Sequence, residues 1–198
     1  MFGTKLFRIR ALVEFGDVEA GELGGYVEKE SNLGHDDNAW VYDNAWVYGN
    51  ARVYGDAQVS GDARVYDNAW VYGDAQVSGD ARVYGNARVY GNAWVYGNAW
   101  VYGNAWVYGN ALVCSDEDYA YAHGFGSVNR TTTFFRLKDG GVGVRCGCFY
   151  GTLAQFRDKI RETHGETKKA QEYLMLADLM ELRFEEDENE VGNRKYVE

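Results

Sequence analysis

Residues 55–72 read GDAQVSGDARVYDNAWVY and residues 73–90 read GDAQVSGDARVYGNARVY. Each of these near-identical blocks is three copies of a six-residue unit. Working outward, Val stands at 41, 47, 53 and every sixth position through Val113, thirteen times without a break. Ala stands two residues before each, from Ala39 to Ala111. Trp, Arg or Gln fills the place between them, Leu at 112, and Tyr or Ser follows the Val until Cys114. The other two places hold Gly or Asp and then Asn or Asp, as in Asp43-Asn44, Gly49-Asn50 and Gly55-Asp56. A fixed period of this kind marks a solenoid, and a period of six points to a parallel β-helix.

The chemistry of the unit agrees. Ala-x-Val-Tyr puts small apolar side chains on one side and large ones on the other, which is the period of a strand. Gly or Asp followed by Asn or Asp tolerates the left-handed backbone of a sharp corner. The chain has no Pro, so no ladder donor is lost to it. Only Ala and Val point inward, so the interior must be narrow. That predicts a triangular prism with three strands and eighteen residues per coil, the length of the duplicated blocks. The thirteen hexads make a little over four coils.

An aliphatic residue every sixth position with a small one four later, as in Val41 and Ala45 and each later pair, resembles the repeat of left-handed β-helix proteins. Left-handedness is implied by that resemblance. Tyr directly after the aliphatic residue, where those proteins carry a small one, marks a divergent branch. The segment Phe15-Gly-Asp-Val-Glu-Ala-Gly-Glu-Leu-Gly-Gly-Tyr-Val27, then Asn32-Leu33 and Asn38-Ala-Trp-Val-Tyr42, resembles the entry segment of YdcK-like hexapeptide-repeat proteins. It is also similar to hypothetical phage and prophage proteins. The resemblance spans roughly residues 7–114. It implies a mainly β fold, a left-handed parallel β-helix, and carries little biochemistry.

Three segments follow. Residues 1–35 are an N-terminal cap and irregular first coil. Phe7, Ile9, Ala11, Val13 and Phe15 alternate as a strand, and two extra residues around Gly34-His35 break the phase between Leu33 and Val41. Residues 36–114 are the array. Residues 115–198 are a small α+β module of the ββαα kind with an acidic tail. Its hairpin is Thr133–Lys138, an Asp139-Gly-Gly141 turn and Val142–Phe149. Thr152-Leu-Ala-Gln155 is a capping box that opens a helix closed by Gly165. A second helix covers 167–184 with Ala170, Leu174, Ala177 and Met180/Glu181 on its core side, and 185–195 read as a solvated tail. The module resembles a recurring C-terminal unit of phage hypothetical proteins, carried by Gly147-Cys-Phe, Gly151-Thr-Leu, Phe156 and Thr163-His-Gly165.

Eighteen residues per coil puts equivalent positions about 4.8 Å apart along the axis. One face then stacks Arg52, Trp70, Arg88 and Trp106. The next stacks Trp46, Arg64, Arg82 and Trp100 beside Tyr48, Tyr66, Tyr84 and Tyr102. The third stacks Trp40, Gln58, Gln76 and Trp94 beside Ser60 and Ser78, and one corner is a ladder of Asn50, Asn68, Asn86 and Asn104. Guanidinium over indole is attractive by about 0.5–2 kcal/mol. These columns are either structural ladders or a binding surface for Arg52, Trp70, Arg88, Trp106, Trp46, Arg64, Arg82 and Trp100.

Thirty acidic against twenty basic residues give a net charge of −10, the wrong sign for a nucleic-acid or membrane-surface partner. Lys5, Arg8 and Arg10 interrupt the N-terminal apolar stretch, unlike a signal peptide, and three cysteines read as reduced thiols. A cytoplasmic protein is expected. No catalytic residue, cofactor or metal is expected either. Cys146-Gly-Cys148 has poor zinc spacing, and buried apolar cysteine is the plainer reading. The function expected is a non-enzymatic, phage-type binding or assembly protein that antagonises a host system by capturing a protein or small nucleotide. Its partners would be a host protein or a small anionic ligand, and it would self-associate as a trimer or dimer along the Tyr- and Trp-rich faces. The alternative is a hexapeptide-type CoA-dependent acyltransferase with His35 or His123 as base, and fold alone does not decide for it.

Overall fold

The computed structural model describes residues 4–126 and 130–185. Its body is a parallel β-solenoid of about five turns with about 18 residues per turn, followed by an antiparallel sheet and two helices. The array strands are two or three residues long and stack into three sheets. One runs Phe7–Arg10, Leu23–Val27, Trp46–Val47, Arg64–Val65, Arg82–Val83 and Trp100–Val101. The second runs Arg52–Val53, Trp70–Tyr72, Arg88–Tyr90 and Trp106–Tyr108. The third runs Trp40–Val41, Gln58–Val59, Gln76–Val77, Trp94–Val95 and Leu112–Val113.

The interior is what the hexad requires. Val41 through Val113 are 0% exposed at each sixth position, and so is each Ala from Ala45 to Ala111. Each buried Val contributes about 1.5–3 kcal/mol of apolar transfer, and only small side chains fit the prism. Between coils the backbone bonds repeat: the N–H groups of Trp46, Arg64 and Arg82 donate to the carbonyls of Ala63, Ala81 and Ala99, each at 2.9 Å. At the corners ten Gly residues from Gly49 to Gly109 sit at φ between 64° and 71°. Asp43 and Asp67 hold the same corner place at φ 52° and 58°. Their carboxylates accept the N–H of Gly61 at 3.1 Å and of Gly85 at 3.4 Å in the next coil. Asp is among the few L-residues that visit this region.

The two surplus residues lengthen the first coil. Val27 pairs with Val47, and Leu33 bridges Val53, a step of twenty where later coils use eighteen. Asn32 is fully buried there. Its own N–H is spent on Lys29 O at 3.0 Å, and its side-chain Nδ2 donates to Ala51 O at 2.8 Å in its place. The N-terminal strand stops at Arg10 rather than continuing to Phe15. Past Ala11 the chain reverses around Gly16, with Phe15 bridging Val18, which leaves Val13 67% exposed. Arg8 and Arg10 put charge on this edge strand, a common guard against edge-to-edge pairing.

The C-terminal module differs from the expected ββαα. It has four antiparallel strands, Tyr119–Phe125, Arg130–Arg136, Val142–Cys146 and Phe149–Thr152. Gly147, at φ 60°, turns the chain and divides the predicted strand 142–149 in two. Helix α1 (Leu153–His164) opens on the Thr152/Gln155 capping box and ends at Gly165. Helix α2 (Lys168–Phe184) is capped by Thr167 and buries Ala170, Tyr173, Ala177, Met180 and Phe184. Leu174 is half-buried against the same core, Tyr173 and Phe184 join it, and of the Met180/Glu181 position it is Met180 that is buried. Past Glu185 the expected solvated tail lies outside the described residues. Among the described residues no helix is long and apolar enough to cross a membrane.

The module closes the open end of the solenoid. The last coil has no successor to accept its N–H groups, and unsatisfied strand edges are costly. Trp100 N–H donates to Asp116 Oδ1 at 2.7 Å, and Trp106 N–H to Thr133 Oγ1 at 3.0 Å. Tyr119 donates its hydroxyl to Trp100 O at 2.7 Å. Asp118, 2% exposed, accepts the N–H groups of Cys114 at 3.0 Å and Ser115 at 2.9 Å, with Arg136 Nε at 3.5 Å. Phe135, fully buried, joins the Ala/Val core as a plug, whereas its neighbour Phe134 packs into the module's own core.

Candidate functional site

The register brings each predicted column together. Arg52, Trp70, Arg88 and Trp106 are consecutive partners on one sheet. Trp46, Arg64, Arg82 and Trp100 are consecutive on another, with Tyr26 ahead of Trp46. The two columns are used differently. Arg88 is sandwiched between Trp70 at 4.9 Å and Trp106 at 4.8 Å, so both guanidinium faces are taken. Arg145 reaches in from the module, lies 5.4 Å from Trp106 and donates to the Tyr90 hydroxyl at 3.0 Å. This face is cement between array and module. On the other face the adjacent Arg64 and Arg82 splay apart, Arg64 onto Trp46 at 4.7 Å and Arg82 onto Trp100 at 4.6 Å. Trp46 stays 37% and Trp100 40% exposed.

Two tyrosine ladders flank these faces. Tyr48, Tyr66, Tyr84 and Tyr102 stack with centroids 4.9–5.3 Å apart. Tyr54, Tyr72, Tyr90 and Tyr108 stack at 4.3–4.9 Å. Stacked aromatic cross-strand pairs stabilise sheets, and the asparagine corner adds amide bonds from Asn50 to Asn68 at 3.1 Å and Asn86 to Asn104 at 3.2 Å. On the third face Ser60 and Ser78 interrupt the ladder, and Lys138 of the module sits 3.9 Å from the Trp94 ring centre.

Burial pushes the Tyr72 phenol up to about 12, helped by the neighbouring Tyr90 and Tyr54 and opposed by Arg88 and Arg145. Burial likewise raises Tyr48, Tyr54, Tyr66 and Tyr84. A raised phenol favours the neutral native state, so the native chain holds protons that the unfolded chain has released above the ordinary value of 10.0. The contribution of Tyr72 is therefore complete below pH ~10 and is lost as pH rises through the interval between 10.0 and about 12. The expected result is a urea midpoint that falls across that interval in step with tyrosinate absorbance. Tyr72→Phe should flatten the fall, and an unchanged slope would remove Tyr72 from the account.

A groove of about 950 Å³ opens where the N-terminal segment meets the Trp46 face. Thr4 and Leu6 form one wall, and Tyr26, Trp46, Tyr48 and Arg64 line the face. The corner column Asn44, Asp62 and Asp80 lines the rest. The groove thus holds two of the eight residues singled out from sequence. The sequence carries one signal for its corner residues, the spacing by eighteen that places Asn44, Asp62 and Asp80 in one column. Thr4 and Leu6 carry no periodic signal.

The other sequence candidates do not converge. His35 is exposed at the first coil, 3.9 Å from Glu30. His123 lies in the C-terminal sheet, exposed, 2.9 Å from Thr131 Oγ1. Cys146 and Cys148 stand on either side of the Gly147 turn rather than on one strand face. Thr132 donates its hydroxyl to Cys146 Sγ at 3.1 Å, while Cys148 is exposed rather than buried. Among the described residues no three of His, Cys, Asp or Glu gather as metal ligands.

The family model described as YdcK Beta solenoid repeat matches residues 45–57, 57–73, 75–89, 81–97, 87–103 and 93–109. These matches all fall in the array, so the chain carries YdcK-type β-solenoid repeats. No curated protein matches the chain.

Proposed function

We propose that this YdcK-type β-solenoid is a binding protein, not a catalyst, and that the groove beside Trp46 and Arg64 is where it captures a ligand or partner segment. The observation that carries this reading is the groove itself. A solenoid repeats one backbone framework coil after coil, and here that regular surface is interrupted where Thr4 and Leu6 stand over a half-exposed indole, two carboxylates and a guanidinium. Concave sites with a few convergent polar groups are where ligands bind. The acyltransferase alternative gains nothing from the geometry, since His35 and His123 sit at opposite ends of the array.

Native mass spectrometry of the chain purified from cells, beside thermal melting, tests this. Trp46→Ala and Arg64→Leu should lose the bound mass. Arg82→Leu, which lies outside the groove lining, should keep it while costing about 1 kcal/mol of stability through the lost Trp100 stack. Equal stability losses in all three variants with the bound mass retained would make the Trp46–Trp100 column a ladder only.

A further inference from the structure

Resting on the binding reading above, we infer that the ligand of this groove is a neutral polyhydroxylated molecule, a segment of glycan, and not a phosphate-bearing one. The polar lining supplies both senses of hydrogen bond. Asp62 and Asp80 are acceptors when ionised, Arg64 is a donor, and Asn44 is both. These groups are not used up on one another: the ion pairs of the described residues lie at His35, Arg136, Arg157, Lys159 and Arg161. Each hydroxyl of a sugar donates one bond and accepts others, so it can bridge a carboxylate and a guanidinium at once.

Charge argues against an anion. Two carboxylates line the groove against one guanidinium, in a chain of net charge −10, and like charges across a site cost affinity. A cationic ligand would compete with Arg64, which already lies 4.7 Å from the Trp46 ring centre. What remains open to the indole is an apolar, uncharged face such as the C–H side of a pyranose ring.

The repeat favours an oligomeric ligand. Asn44, Asp62 and Asp80 are equivalent positions in successive coils, so acceptors recur along the groove at about 4.8 Å. A ligand built of repeating hydroxylated units can meet the same side-chain chemistry at each step. The groove's volume of about 950 Å³ falls at the upper end of ordinary ligand sites, about 300–1,000 Å³.

A glycan array carrying neutral, sulfated and sialylated glycans, followed by calorimetry with the best neutral hit and with ADP, tests the assignment. Saturable binding of a neutral glycan is expected, with no measurable binding of ADP. Asp62→Asn with Asp80→Asn should weaken the glycan about tenfold or more, the worth of a charge-assisted bond. Trp46→Phe should keep part of the affinity and Trp46→Ala none, with circular dichroism unchanged throughout. Preference for sulfated glycans or ADP, lost in Trp46→Ala, would overturn the ligand class and leave the groove standing. Glycan binding untouched by all of these variants would overturn both. No glycan binding at all would overturn the class.

Discussion

Val77→Asp should abolish cooperative folding of the solenoid. Val77 is fully buried in the middle of the array and pairs with Val59 on one side and Val95 on the other. The prism around it holds only Ala and Val, so a carboxylate there finds no donor. Burying an unpaired charge costs at least several kcal/mol, a large part of the ~5–15 kcal/mol that holds a domain together. Each coil of a solenoid contacts only its neighbours, so the damage splits the array into two short stacks instead of spreading thinly. The β-sheet circular dichroism should fall and the melting transition broaden or vanish. Gln76→Asp, one residue away on the exposed side, is the control and should stay within about 0.5 kcal/mol of the parent. A Val77→Asp protein that melts like the parent would mean that Val does not face inward.

Phe135→Ala should uncap the other end. Phe135 is fully buried against the Ala/Val core, while Phe134 beside it faces the helices and lies 6.0 Å, edge-on, from Phe156. Truncating either ring should cost about 3–5 kcal/mol, so stability alone does not separate them. Amide hydrogen exchange does. With the plug removed, the last coil loosens from Asp116 and Thr133, and the amides of Trp100 and Trp106, which donate to those residues, should exchange much faster than in the parent. Phe134→Ala should instead speed exchange in α1 and α2. Equal protection of Trp100 and Trp106 in both variants would show that the module is attached to the solenoid without capping it.

What could be read in the sequence is whatever repeats. A period of six with small inward residues admits one packing, and the spacing of eighteen then decides which side chains stack. The Arg/Trp columns, the tyrosine stack beside Trp46 and the asparagine corner were all legible for that reason. The lengthened first coil was visible as a break in phase, and α1 as a capping box, because both are local in the chain. The strand Tyr119–Phe125 was not. Its sequence, YAYAHGF, lacks the aliphatic alternation of a half-buried strand, and it is a strand because Arg130–Arg136 pairs with it and its first residue, Tyr119, packs against the solenoid core.

By itself, then, the sequence determined the solenoid, its register and the composition of its faces, since each follows from contacts between residues eighteen apart. Only the tertiary structure decided how the stack ends and where its surface stops being uniform. Asp118 and Phe135 serve the last coil, Arg145 engages the Trp106 face, and Thr4 and Leu6 meet Asp62 and Asp80 in a groove. These contacts join segments with no common period, so their partners are set by where the two ends of the chain come to rest on the array.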